Sequence, residues 1–158
     1  MTEPKTSETR CAEYELEIAI KADRDAVWKA LVDETNSWWL PDFHMIGESS
    51  VVEFDVSPGG RGLIEHCEDG SFLVWYSVQF FLPEHFQIYL VGNVAPNWGG
   101  PSTSNLFLAV EENPAGCILR VKDAHHGAFH DDFIQSLKNG WIQLFGEGLL
   151  RYVEEKKK

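Results

Sequence analysis

The segment Asp131–Val153 reads DDFIQSLKNGWIQLFGEGLLRYV, and its periodicity decides the fold. Phe133, Leu137, Trp141, Leu144, Phe145, Leu149 and Tyr152 recur mostly at three- and four-residue steps. That spacing lays an apolar stripe along one side of a helix. Asp131 and Asp132 sit at the positive end of its dipole and Lys156, Lys157 and Lys158 at the negative end, both favourable placements. Gly140, Gly146 and Gly148 interrupt the segment, each at a cost of about 1 kcal/mol relative to alanine in a helix interior. Three such costs point to a packing reason: close approach to a sheet, or room for something bound. A helix of about 25 residues runs about 38 Å. It is the one element large enough to cover a sheet.

The rest of the chain supplies that sheet. Tyr14, Leu16, Ile18 and Ile20 alternate with Glu15, Glu17 and Ala19, the pattern of a half-buried strand. The period changes at Asp23, where Asp23 or Asp25 can cap a helix whose stripe is Val27, Trp28, Ala30 and Leu31. This helix should fade near Asp33–Asn36, with room for a short second one before Pro41. Strands follow at Val51–Val56, Arg61–Glu68, Ser71–Phe81, Phe86–Val94, Thr103–Glu112 and Cys117–His125. Turn signals separate them: Ser57-Pro58-Gly59-Gly60, Asp69-Gly70, Pro83-Glu84-His85, the Gly/Pro loop Ala95–Ser102 and Asn113–Gly116. Short links between successive strands imply an antiparallel sheet with one face to be covered. The fold class is α+β, a curved sheet against a long C-terminal helix, and a cavity between them is plausible on geometry alone. Residues 1–10 read as a disordered tail and residues 11–158 as a single domain.

A chain of 158 residues suits one domain. With 44% apolar and 24% charged residues it is neither disordered nor fibrous. The net charge of −12 repels phosphate backbones and anionic lipid heads, so neither nucleic acid nor a membrane is expected as a partner. Cys11, Cys67 and Cys117 are odd in number and lack CxxC or CxxH spacing. A disulfide framework or zinc site is not expected, and a cytoplasmic location is. No apolar run approaches ~18 residues, and the polar start Met1-Thr2-Glu3-Pro4-Lys5 is unlike a secretory signal.

No GxGxxG, Walker loop, GxSxG or HExxH occurs, and no cofactor is expected. His125, His126, His130, Asp131 and Asp132 cluster in sequence, but strand alternation sends His125 and His126 to opposite faces, so metal is not expected either. Gly59-Gly60-Arg61 reads as a connecting turn with a solvated arginine. Asp123 and His125 share a face with Leu119 and Val121, while Arg120 and Lys122 take the other. A pocket carboxylate beside an imidazole can act as an acid–base pair; a strand surfacing toward its end is the competing reading, and His66 beside Ile64 is similarly ambiguous. Six Trp, four Tyr and ten Phe over-supply a small core. Trp28, Trp75, Tyr76, Phe80, Phe107, Trp141 and Phe145 are therefore candidates for a ligand box. Trp75 and Tyr76 are strand neighbours that alternation points to opposite faces, so which one faces inward stays open. Residues 72–81 are apolar on both faces, and a homodimer contact is one way to cover the outer one.

The segment Ile20–Leu31 resembles the opening of START-like (SRPBCC, helix-grip) proteins. Trp38-Trp39, Ser57-Pro58-Gly59-Gly60-Arg61, His125-His126-Gly127 and Gly140-Trp141 are similar to the heat-shock-protein-90 ATPase activator homologue branch of that superfamily. The resemblance runs from about Tyr14 to Val153. It implies a helix-grip fold, a seven-stranded antiparallel sheet wrapped around the C-terminal helix and enclosing an apolar pocket. Members mostly bind hydrophobic small molecules; some branches are cyclases, dehydratases or hydrolases, and one domain assists a chaperone ATPase. The expected function is binding of a hydrophobic or amphipathic small molecule between sheet and helix. The expected pocket residues are Trp28, Trp75, Tyr76, Phe107, Asp123, His125, Gly140, Trp141 and Phe145. A lyase or cyclase acting on an aromatic or polyketide-like substrate, and a chaperone-associated interaction module, are the alternatives.

Overall fold

The computed structural model describes residues 2–156; Met1 of the expected tail and Lys157 and Lys158 of the terminal lysine run lie outside the described residues. Strand β1 (Arg10–Ile20) leads into helix α1 (Arg24–Asp33) and the single turn α2 (Thr35–Trp38). Six further strands follow: β2 (Val51–Asp55), β3 (Gly62–His66), β4 (Phe72–Leu82), β5 (Gln87–Val94), β6 (Ser102–Asn113) and β7 (Gly116–Gly127). They form one seven-stranded sheet in the order β1-β7-β6-β5-β4-β3-β2, antiparallel throughout. The expected α+β architecture is present: this sheet grips a long C-terminal helix. Strand β1 starts at Arg10, inside the segment read as tail, because its side chain pairs with Asp131 and lies 5.3 Å from the Phe129 ring.

The C-terminal helix is three pieces end to end. Helix α3 (Asp131–Gln143) passes into a π-helical stretch, Leu144–Leu150, and then into α4 (Arg151–Lys156). The apolar stripe read from the sequence is buried unevenly along it. Trp141 is the one buried residue of α3, whereas the π-helical stretch buries Leu144, Phe145, Gly148 and Leu149. Phe133, Ile134 and Leu137 stay half-buried. The helix is therefore seated by its middle, and its first half stands over the sheet edge.

The three glycines have different reasons. A Cβ on Gly148 would come 2.5 Å from the Trp38 carbonyl oxygen, so this glycine lets the helix touch α2 rather than the sheet. A Cβ on Gly146 would meet open space, and one on Gly140 only the Phe43 ring at 3.8 Å.

Two β-bulges in β4 decide which aromatic rings enter the core. Leu63 pairs with Tyr76 and Ile64 with Val74, leaving Trp75 as the extra residue. The kink breaks the two-residue alternation, so Trp75 and Tyr76 both turn inward. The alternation expected at this pair fails for that reason. The second bulge, at Gln79, leaves Phe80 outward against Tyr89 while Phe81 packs on the core.

Substitution at the two outer glycines of the π-helical stretch should separate these roles. Gly148→Ala is expected to lose about 1–3 kcal/mol by overpacking against Trp38. Gly146→Ala is expected to be neutral or to gain up to about 1 kcal/mol from helix propensity. Urea denaturation of both variants measures the contrast; equal effects would contradict the seating on α2.

Candidate functional site

The inner face of β7 continues Cys117, Leu119 and Val121 with two polar residues, Asp123 and His125, both fully buried. The register brings polar partners to them from both neighbouring strands. Tyr14 of β1 lies opposite Asp123, and Ser104 of β6 lies opposite His125. Gly92 of β5 is opposite Ser104 in turn, and a Cβ there would come within 2.7 Å of the Tyr76 ring. Glycine at 92 lets that ring lie across β5 and reach β6. Tyr76 Oη then donates to Ser104 Oγ at 2.9 Å, and Ser104 Oγ donates to Asp123 Oδ1 at 2.8 Å. His125 Nε2 lies 2.7 Å from Ser102 Oγ.

Among the described residues, four buried polar atoms of this group have no partner at hydrogen-bond distance: Tyr14 Oη, Asp123 Oδ2, His125 Nδ1 and Trp141 Nε1, although Asp123 and Trp141 both lie near enough to act on the Tyr14 phenol. Asp123 Oδ2 and His125 Nδ1 are 3.7 Å apart, beyond hydrogen-bond reach. A buried polar group left unmatched costs about 1–3 kcal/mol, so four together are not an economical core. Burial, reinforced by the nearby Asp123 charge, pushes the Tyr14 phenol well above the ordinary tyrosine range. Burial does the same to Tyr76 against the opposing Ser104 hydrogen bond.

An aromatic wall flanks the polar group. The Tyr76 and Trp141 centroids are 5.8 Å apart, and Trp141 stacks on Phe145 at 5.3 Å. The chain of rings runs on from Phe145 through Trp38 and Trp39 to Trp75. Phe129 and Phe133 stand 5.1 and 5.4 Å from the His125 ring.

Of the expected pocket residues, the fold gathers Tyr76, Asp123, His125, Trp141 and Phe145. Trp75 joins only through Trp39, and its indole N–H donates to the buried Glu65 at 3.1 Å. Trp28 belongs to a separate cluster, stacked on Phe81 at 5.7 Å and edge-on to Phe86, because α1 crosses the other end of the sheet. Phe107 lies on the outer face, 4.7 Å from Tyr89 and under Lys122, since it alternates with the inward Leu106 and Leu108. Gly140 sits half-buried beside Phe43. Tyr14, Ser102 and Ser104 belong to the site although motif reading passes over them. Their signal is parity: Ser102 and Ser104 occupy the inward positions of the series Leu106, Leu108, Val110.

The other polar motifs resolve into local structure. Arg61 is held by Glu53 at 2.6 Å and by Asp55 at 3.6 Å. The Ser57 hydroxyl, followed by the Arg61 and Ser57 backbone N–H groups, holds the Asp55 carboxyl down at about 2. His66 lies 3.3 Å from Glu53 on the outer face. His126 is exposed, and Asp131 pairs with Arg10. No three metal-ligating side chains converge among the described residues.

The concavities among the described residues include two beside the sheet. One, of about 540 Å³, lies on the outer sheet face between Glu13, Gln79, Tyr89, Asn105, Phe107 and Lys122. The other, of about 470 Å³, lies between α2 and β2 beside Asn36, Glu53 and Arg61. Neither is in the space between sheet and C-terminal helix, where the rings of Tyr76, Trp141 and Phe145 meet instead.

Sheet, helix and interior group together define a helix-grip protein by fold. Solved structures share that fold at low sequence identity. An uncharacterised protein from Rhizobium leguminosarum superposes with a TM-score of 0.67 at 15% identity, over 94% of this chain and 97% of that one. Ara h 8.0201 gives 0.66 at 16% identity, over 92% and 99%. A norcoclaurine synthase point mutant from Thalictrum flavum, in complex with a transition-state analogue, gives 0.52 at 18% identity, over 98% and 100%. At these identities the likeness shows the fold alone. No protein-family model matches the chain, and no curated protein sequence does. No helix among the described residues is long and apolar enough to cross a membrane.

The two shifted phenols have a measurable consequence. A folded-state pKa raised above the unfolded value contributes stability that is complete below the unfolded value and lost as pH rises past it. Tyr14 and Tyr76 are therefore expected to stay protonated until alkaline unfolding, followed by absorbance at 295 nm (about where tyrosinate absorbs and tyrosine does not). Tyr14→Phe and Tyr76→Phe should each remove amplitude from that unfolding step. Ionisation of either phenol ahead of unfolding would contradict the geometry.

Proposed function

We propose that the protein binds an amphipathic small molecule between the sheet and the C-terminal helix. The polar end of the molecule meets Tyr14, Asp123, His125 and Trp141, and its apolar body lies along Tyr76, Trp141 and Phe145. The observation that carries this reading is the convergence of four buried polar atoms without a partner at hydrogen-bond distance beside an aromatic wall. Access runs past the first half of α3. Trp141 is its one buried anchor, and few buried contacts mark the part of a structure that opens most readily. The rings that meet beneath the helix move aside as the ligand enters.

The Asp123–His125 pair supports a second reading, in which the bound molecule is turned over by acid–base chemistry at this spot, as in a lyase or cyclase. The motif likeness to the heat-shock-protein-90 ATPase activator homologue branch belongs to the proposal as well. So does a cytoplasmic location, with Cys11, Cys67 and Cys117 all free thiols. A homodimer formed through the outer face of β4, where Phe72, Val74 and Phe80 are exposed, is the remaining part.

Native mass spectrometry of the purified protein is expected to show a co-purified small molecule. Calorimetric titration with naphthylethanol should show saturable binding. Trp141→Phe, which keeps a ring and removes the indole N–H, should weaken that binding about five- to tenfold, the worth of one hydrogen bond. Absence of any saturable binding, or binding that ignores Trp141→Phe, would sink the interior site.

A further inference from the structure

Among the described residues two carboxylates are buried with no lysine or arginine paired to them, and the fold treats them differently. Glu65 is fully buried in β3. Its Oε1 accepts from the Ile46 N–H at 3.0 Å and the Ser50 hydroxyl at 2.7 Å, and its Oε2 from the Trp75 indole at 3.1 Å. Both oxygens are matched, which is how a protein carries a structural carboxylate without a counter-ion. Burial works to raise the Glu65 carboxyl, and these donors outweigh it and hold it below the usual range. Asp123 has no such shell. Ser104 serves Oδ1, and Oδ2 receives nothing.

The atoms facing Oδ2 sharpen the contrast. His125 Nε2 is engaged with Ser102; with Nε2–H donated there, Nδ1 presents a bare lone pair 3.7 Å from Oδ2. Two acceptors at that separation can be bridged by one atom carrying several N–H donors. The Tyr76 and Trp141 rings add aromatic surface of the kind that attracts cations, and the Trp141 indole N–H, which an ammonium cannot accept, is left to act on Tyr14 Oη. A hydroxyl has one proton and can satisfy one of these acceptors. A carboxylate would meet Asp123 charge to charge. The whole chain, at a net charge of −12, steers cations toward itself.

Resting on the binding reading above, we infer that the polar end of the ligand is a protonated primary amine, held by Asp123 Oδ2 and His125 Nδ1 and attached to an aromatic or apolar body. Asp123 is its counter-ion, and the pair completes an interior that the chain alone leaves electrostatically unfinished. An uncompensated buried charge is the most costly kind of polar burial.

The test compares three molecules of one body and different heads on the full chain by isothermal titration calorimetry: naphthylethylamine, naphthylethanol and naphthylacetate. The amine is expected to bind about tenfold or more tighter than the alcohol, the scale of a buried charge pair, with the acid weakest. Asp123→Asn keeps the side-chain shape and the Ser104 hydrogen bond. It should bring amine and alcohol within about threefold of each other. Equal affinity of amine and alcohol for the unaltered protein, or preference for the acid, overturns the amine and leaves the binding reading intact. Failure of all three to bind overturns both. The head-group comparison needs no variant, so a misfolded Asp123→Asn does not spare the inference.

Discussion

The seating of the π-helical stretch 144–150 against α2 and the sheet is the contact on which the rest of the molecule depends. Leu144, Phe145 and Leu149 enter the core there, and Gly148 brings the helix backbone up to the Trp38 carbonyl. Trp38 is fixed in turn by its indole N–H, which donates to the Ala30 carbonyl at 2.7 Å and ties α1 to α2. One close approach thus holds the helix, the two short helices and the sheet in a single arrangement. Because interiors are close-packed, a helix seated at its middle need not be seated equally at its start. That leaves α3 as the lightly held half.

The same arrangement explains why the polar group sits where it does. The sheet end beneath α3 is capped by Trp141, Phe129 and Phe133 rather than by the aliphatic layer that fills the region under Leu144 and Leu149. A carboxylate and an imidazole in such a place lose their hydration and gain only the partners the strands supply. Ser102, Ser104 and Tyr76 supply three hydrogen-bond contacts between them and stop short of closing the network. The Glu65 site shows that this chain can close such a network when it has only structure to serve. The one at Asp123 it leaves open.

The outer sheet face follows a different logic. Arg120 gathers Glu15, Glu17 and Glu111 into one exposed ion-pair network, each pair worth little in water. Toward β4 and β5 the same face carries Phe80, Tyr89 and Phe107 in mutual contact. Part of the rings that over-supply the core in the sequence count lies here, outside it, apart from the interior row of Tyr76, Trp141 and Phe145.

Sequence by itself determined the element order, the antiparallel sheet and its covering helix, because these rest on periodicity and turn chemistry, which are local. Parity also put Asp123 and His125 on one face of β7 with Leu119 and Val121, but whether the strand surfaces at that end stayed open until the structure showed both buried. Tertiary structure alone decided which residues meet them. Tyr14 and Ser104 arrive through strand register set by pairings across the sheet. Tyr76 arrives because a bulge at Trp75 overrides alternation and Gly92 clears its path. Phe107 and Trp28 part from the group because face and position along the sheet depend on pairing and helix crossing, which no run of neighbouring residues encodes. The uneven seating of the C-terminal helix is likewise a packing result: its apolar stripe is continuous in sequence, but the surface it meets is not.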